Sequence, residues 1–504
     1  MAFILLLSLL HLTLALSPQR TLSIEADASS DINEGSARTN ANLIFNAIHS
    51  AMRQWGSSLQ HNGMSFFPAC IPKGTLLYHG TGTRHRVTGM EWLAFELEHA
   101  GMFAFGKPHQ SNLLPDNEIR DDPLLRPPPE PGYLHVYRTN RPLGKLLYLD
   151  GMAAGKSSLG TLDTQDLVLL GLGLSPHADY QRAHLLCELG KTWDIEGFVR
   201  MEAGFELILC NFSDGLDFVS HNKQPPVGDP EGYGDRFFLE YIRAISSRYD
   251  EIGASRVMLD YSSMISAFFF PVNLSNPESS SSLPRLAFSS PEQLAPIKTQ
   301  LEDVLQRPRT YSCTNWKGVV DLIVTRYSVR LQYLATSPSQ DSFLATINNL
   351  LNPFIDYGAD LVDKLAIEKC ALHYIESLPI STGQDELIFA AISTLNRRIC
   401  KTLFEVRRLL LMYGKESQNG VDMSIKLIRE LMEWLDWSTW KACPSCQYDE
   451  VCFVAVWPFG NVEDHNSPRC LNNTELKKRR GFGKYWHNTP SVSNITTNDA
   501  LRIK

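Results

Sequence analysis

The chain has 504 residues and lacks the common catalytic signatures. No Gly-x-Ser-x-Gly occurs, so the strained turn that presents a hydrolase serine has no counterpart. No His-Glu-x-x-His occurs, which removes the zinc-protease helix. Positive charge is in short supply: Lys+Arg number 47 against 55 for Asp+Glu, a formal net charge of -8. That balance argues against a nucleic-acid binder with a broad basic patch, and gives no pull towards an anionic membrane. After Leu16 no run is apolar enough to span a bilayer. Internal repeats are absent. The nearest approach to a phosphate loop is Asp150-Gly-Met-Ala-Ala-Gly-Lys-Ser157, where Asp150 replaces the first glycine of the template. A carboxylate there repels phosphate, and the lost glycine removes a backbone conformation the cradle uses. The run reads instead as a tight turn of small residues after a strand.

What is present first indicates a compartment. Phe3 to Leu16 is apolar, broken only by Ser8, His11 and Thr13, and has the length of a signal-peptide core. Residues 1–17 are therefore assigned to a signal peptide, with cleavage expected after Ala15; an uncleaved anchor is the alternative. Asn-x-Ser/Thr acceptors stand at Asn211, Asn273, Asn472 and Asn494. The cysteines number ten, an even count. Four of them, Cys443, Cys446, Cys452 and Cys470, are clustered as a disulfide module would have them. Zinc, with His465 nearby, is the other reading, but the paired Cys-x-x-Cys spacing of a strong zinc site is missing. Cys370 and Cys400 fall in expected helices and are placed to staple them. Secretion through an oxidising pathway is the expectation.

Periodicity divides the chain into an α+β fold with three parts. Residues 18–40 form a polar lead. Residues 41–271 form an N-terminal mixed α/β domain. It opens on a helix from Asn40 to Trp55 that Gly56 stops. The strand Thr75–His79 follows, with Thr75, Leu77 and His79 on one face, and then a helix over Glu91–Ala104. Strands are expected at Tyr133–Thr139, Lys145–Asp150, Val199–Cys210 and Arg256–Tyr261, with helices at 164–172, 180–189 and 237–249. Residues 272–290 are a serine-rich linker. Residues 291–440 read as an α-helical bundle, opened by the capping box Ser290-Pro-Glu-Gln293 and including a long helix from Asp385 to Tyr413 that Gly414 ends. Residues 441–476 form the small disulfide-rich C-terminal module. Residues 477–504 carry the exposed basic run Lys477–Arg480, suited to proteolytic trimming or to a solvated patch, and a disordered tail.

The strand Val199–Cys210 carries the most chemistry. Arg200, Glu202, Gly204, Glu206 and Ile208 share one face, and the other is apolar. Two carboxylates and a guanidinium around a bare glycine leave room for a ligand to approach the backbone. A carboxylate against apolar walls keeps a raised pKa while one beside Arg200 stays charged, a division that suits acid and base roles. An ordinary solvent face of Arg–Glu pairs is the other reading. Tyr133, His135 and Tyr137 share a face of their strand; they would stack on a flat ligand or simply cover the sheet.

The segments LLYHGT, WLAFELEHAGMFA, YLDGMAAGKSS, GFVRMEAGFELILCNF and CPSCQYDEVCFVAVWPFG resemble those of an uncharacterised family of secreted fungal proteins over most of residues 65–475. A strand ending Tyr-His-Gly-Thr and a later strand bearing glutamate are more distantly similar to ADP-ribosyltransferases of the His-Tyr-Glu class. That resemblance implies NAD as a substrate. It implies that His79 holds a ribose, that Tyr137 stacks on nicotinamide, and that Glu202 or Glu206 orients the acceptor or stabilises the oxocarbenium-like centre; Arg200 is expected to contact the cofactor. No metal is implied. Two functions follow as expectations: an NAD-using secreted enzyme, or a secreted or cell-surface interaction glycoprotein without catalysis.

Overall fold

The computed structural model describes residues 33–104, 132–225, 236–247, 255–277, 283–307, 314–336, 338–358, 362–413, 418–443, 445–479 and 484–487. The signal segment, Cys313, Gly414, Arg480 and Asn494 lie outside them. In chain order the elements of the first part are α1 (Glu34–Thr39), α2 (Ala41–Ser50), α3 (Gln54–Leu59), β1 (Ser65–Ile71), β2 (Leu76–Thr81), β3 (Glu91–Ala94), α4 (Leu97–Gly101), β4 (Tyr133–Thr139), β5 (Leu143–Leu149), α5 (Asp179–Trp193), β6 (Gly197–Met201), β7 (Phe205–Leu209), β8 (Leu216–Lys223), α6 (Phe237–Ser247), β9 (Met258–Leu259) and β10 (Ile265–Ser266). The sheet runs β10-β1-β5-β6-β7-β3-β2-β4-β8, with β9 on β1. Its pairs are antiparallel except β5 with β6.

The helical part comprises α7 (Pro291–Gln306), α8 (Trp316–Ala335), α9 (Gln340–Leu351), α10 (Val362–Leu372), α11 (Gly383–Tyr413) and α12 (Gln418–Leu435). The C-terminal module is β11 (Glu450–Phe453), α13 (Val462–Asn466), β12 (Arg469–Asn472) and α14 (Asn473–Lys477), followed by α15 (Lys484–His487). The α+β class, the helical region and the sulfur-rich end are thus all present. The capping box forms as the sequence has it: Ser290 Oγ accepts from Gln293 N, and Gln293 Oε1 accepts from Ser290 N. Behind it Leu294, Ile297, Leu301 and Val304 are buried at helical spacing. Each such side chain contributes roughly 1.5–3 kcal/mol on burial. No described helix is long and apolar enough to cross a membrane.

Several expected boundaries move. The helix expected over Asn40–Trp55 ends at Ser50, because Met52 takes a left-handed backbone (φ 57). Gly56 does not stop the chain; it lies inside α3, where a Cβ would come within 2.6 Å of Ser50 Oγ. Part of the expected lead is α1, capped by Asn33, which packs with α2 against α11. The helix expected over Glu91–Ala104 is a strand, β3, followed by the short α4. The strand expected over Val199–Cys210 is a hairpin, β6 and β7, turning at residues 202–204. The expected linker is fastened: Arg285 Nε donates to Asp163 Oδ2 at 2.8 Å, and Leu286 is fully buried. Within the basic run Lys477 and Lys478 are exposed, as expected, but Arg479 is held. Arg479 binds buried Asp464, and beyond it Trp486 is fully buried, donating to the Phe459 carbonyl at 3.0 Å.

Four disulfides form among the described residues: Cys187–Cys210, Cys370–Cys400, Cys443–Cys452 and Cys446–Cys470. The first ties α5 to the end of β7. The second staples α10 to α11. The last two brace the module, and their sulfurs are thereby unavailable as zinc ligands.

Candidate functional site

A cavity of about 370 Å³ opens where β2 and β3 part. These strands share one paired position, Tyr78 opposite Ala94. The register continues Ala94 to Glu206 on β7 and Glu206 to Arg200 on β6. Paired residues stand on one face of a sheet, so Tyr78, Ala94, Glu206 and Arg200 look the same way. His79, Arg200, Glu202 and Glu206 all line the cavity, with Trp92, His99, Lys156, Asp179 and Tyr180 among the others.

The acidic end is a dense charge network. Arg200 is 1% exposed; its Nε donates to Glu206 Oε1 at 2.8 Å and its Nη1 to Gln165 Oε1 at 3.0 Å. Gln165 is presented by a π-helical turn, Thr164–Leu169. Lys156 Nζ binds Glu202 Oε1 and, at 2.7 Å, Asp179 Oδ2. Burial pushes the Glu206 carboxyl up to about 7 against the pull of Arg200, and the charge of Glu202 adds to the rise. Burial alone would lower Lys156, but Glu202, Asp179 and Glu206 together raise it, so it stays an ammonium. The expected division of roles is therefore reversed at one point. The carboxylate beside Arg200 is the raised one, because desolvation outweighs the ion pair.

His99 completes this end. It is 2% exposed and held down in pKa mainly by burial. Its Nδ1 lies 3.1 Å from the Tyr241 hydroxyl, while its Nε2 has no hydrogen-bond partner. The imidazole occupies the space above Gly204: a Cβ there would lie 3.1 Å from His99 Cγ. The bare glycine thus admits a histidine of this chain rather than a ligand. Ligand atoms of His99, Glu202 and Glu206 lie within 4.8 Å of one another. A divalent ion among them would add positive charge beside buried Arg200 and Lys156, which already bond one oxygen of each carboxylate, Glu206 Oε1 and Glu202 Oε1.

His79 meets the cavity differently. By register it leaves β2 on the face opposite Glu206, together with Leu77, as the sequence alternation expects. Its Nδ1 donates to the Trp92 carbonyl at 2.7 Å, which leaves Nε2 as the acceptor nitrogen. The ring packs against Phe212 and His135, and burial pushes its pKa down to about 4 against the Trp92 bond. Tyr137 does not line the cavity. It is fully buried on that same opposite face, its hydroxyl accepting from Val87 N at 3.3 Å and its ring against Phe212 and Phe218. The aromatic walls of the cavity are instead Tyr78, Trp92, Phe103 and Tyr180, with Trp92 and Tyr180 meeting edge to face at 4.7 Å.

Sequence reasoning missed Lys156, His99, Asp179 and Tyr180. Lys156 sat in plain view in the imperfect phosphate loop. His99 was hidden by the expectation of one long helix. Asp179 and Tyr180 start α5 and carry no motif. Of the sequons, Asn211 and Asn273 are exposed and Asn472 is half-buried; the side-chain oxygen of each accepts a backbone N–H, from Ser213, Ser275 and Glu475 respectively.

All the lining residues named fall inside the segment similar to known sequences. Residues 30–123 and 112–227 match the family described as the YPL277C N-terminal domain. The uncharacterized protein YPL277C of Saccharomyces cerevisiae is 35% identical over 209 residues, covering 36% of this chain and 42% of that protein. The uncharacterized protein YOR389W of the same yeast is 34% identical over 208 residues, covering 36% of this chain and 33% of that protein. The chain therefore spans less than half the length of these relatives, and the similarity supports an uncharacterised fungal family. No solved structure matches.

Proposed function

We propose that the protein is an exported, N-glycosylated enzyme of the NAD-using ADP-ribosyltransferase type, with its reaction in the cavity between β2, β3 and β7. The observation that carries this reading is the single hollow shared by His79, Arg200, Glu202 and Glu206. Its volume, about 370 Å³, lies within the range of small-molecule sites and suits the nicotinamide–ribose half of NAD. In the proposed reaction the bond between nicotinamide nitrogen and ribose C1′ breaks, and nicotinamide leaves with the bonding pair. The cationic ribose centre is stabilised by Glu202 and Glu206. A hydroxyl or amine of the acceptor bonds to C1′, and its proton passes to the Glu206 carboxylate. Trp92 and Tyr180 take the stacking place expected of Tyr137. Gly82 lines the cavity, and exposed Arg84 stands two residues beyond it, a partner for the phosphates.

Export is supported by the four disulfides and by the exposure of Asn211 and Asn273. A second reading, an exported glycoprotein without catalysis, draws on one observation: the His79 ring is bonded to Trp92 on the face opposite Glu206.

The test is the melting temperature with millimolar NAD, followed by release of nicotinamide. A ligand bound only by the folded state raises the midpoint. Stabilisation with release supports transfer; stabilisation without release supports the second reading; neither removes NAD altogether. For export, peptide mapping after enzymatic deglycosylation should find mass shifts at Asn211 and Asn273 and none at Asn472. An unmodified chain would overturn it.

A further inference from the structure

Two residues of the acidic end, Lys156 and His99, are both backed by one loop of the C-terminal module. Trp457 does not line the cavity. Its ring lies 4.5 Å from Lys156 Nζ, on a lysine already shared between Glu202 and Asp179. The indole is 4% exposed, so the cation–π contact is desolvated and correspondingly strong. Trp457 is seated on the turn that carries Lys156: its backbone N lies 3.4 Å from Met152 Sδ, and a Cβ on Gly155 would lie 3.3 Å from Trp457 Cβ. Two residues on, the Phe459 ring meets Tyr241 at 6.3 Å and Phe238 at 4.8 Å. Tyr241 in turn holds His99 Nδ1.

We infer that the disulfide-braced module is a structural half of the site: Trp457 and Phe459 are positioning residues that set Lys156 and the Tyr241–His99 pair from behind. The consequence for transfer rests on the NAD reading; the positioning itself does not. Without the indole, the Lys156 ammonium keeps its carboxylates but loses the wall that excludes water and fixes its direction. Glu202 would then share its charge with solvent, and the acidic end would loosen.

The test uses the full chain carrying Trp457→Leu or, conservatively, Trp457→Phe. Trace labelling with acetic anhydride, read by peptide mass spectrometry, reports the accessibility of each lysine. Trp457→Leu should raise labelling of Lys156 several-fold while exposed Lys145 and Lys191 stay unchanged, and Trp457→Phe should restore most of the protection. Phe459→Leu supplies an independent arm if Trp457→Leu does not fold; there the imidazole NMR titration of His99 should shift. Unchanged Lys156 labelling in folded Trp457→Leu, or an unmoved His99 in folded Phe459→Leu, overturns the inference. These readouts need no NAD, so failure of wild-type protein to bind NAD removes the functional reading and leaves this one standing. If wild type transfers ADP-ribose, kcat should fall in Trp457→Leu with KM little changed, and an undiminished kcat would overturn the catalytic part.

Discussion

Glu206 carries opposing demands within one side chain. Burial favours its neutral form, and Arg200 favours its charge, leaving the carboxyl near 7. A group balanced there serves as a proton acceptor at neutral pH. If the ionised form is the working one, transfer should rise with pH through about 7, with a slope of one proton. Glu206→Gln should flatten that profile and lower the rate by roughly 10²–10³-fold, while the amide still accepts from Arg200 and NAD still binds. A rate unchanged by Glu206→Gln would remove the residue from the chemistry. His79 gives a stability signature. Its imidazole titrates near 4 in the folded state against 6.5 when free. A depressed folded pKa contributes stability that is present above 6.5 and lost as pH falls through 4. His49, lowered to about 3 by burial, has the same sign. Urea midpoints should therefore fall between pH 6.5 and 4, and His79→Gln should reduce that fall.

At the scale of elements, the site depends on how closely α4 lies on β2. Gly80 makes this possible. A Cβ there would fall 2.1 Å from the Ala100 carbonyl oxygen and 2.7 Å from Ala104 N. Gly80→Ala must therefore push α4 outward and carry His99 with it. Overpacking of this kind costs about 1–3 kcal/mol. Gly144 on β5 is the control, because a Cβ there meets nothing within 4 Å. Gly80→Ala should lower the melting temperature and weaken NAD binding; Gly144→Ala should leave both nearly unchanged. Equal effects of the two substitutions would contradict the packing argument.

The whole molecule is tied by covalent links of unlike purpose. Cys187–Cys210 closes a separation of 23 residues and Cys370–Cys400 one of 30. Loops of this size predict similar stabilisation, about 3 kcal/mol each. Their positions differ. The first anchors α5, which brings Asp179 and Tyr180 to the cavity, beside the strand that bears Glu206. The second lies within the helical bundle. Replacing either pair by serine should lower the melting temperature by comparable amounts. Only the Cys187/Cys210 replacement should also weaken NAD binding, as titration calorimetry would show. Equal losses of affinity would mean that the bundle supports the site as directly as α5 does.

Local pattern alone settled the class of the fold and much of its helical half. The capping box at Ser290, the apolar stripe of α7 and the span of α11 are written within a few turns of chain, where side-chain spacing and end-capping decide the structure. The cysteine cluster and the stapled helices were legible for the same reason. The hairpin of β6 and β7 was not. Arg200 pairs with Glu206 and Met201 with Phe205, so partners share odd or even parity. Alternation therefore runs through the turn without a break, and one long strand and two short ones present the same pattern. That His79 and the acids meet one cavity from opposite faces was decided by strand order, which places β3 between β2 and β7. The partners of Lys156 were decided at greater distance still: Glu202 lies 46 residues along the chain, and Trp457 belongs to the last module. Contacts of that separation exist only once the chain has closed on itself. Burial then turned ordinary ionisable residues into a coupled, desolvated group that no stretch of sequence contains.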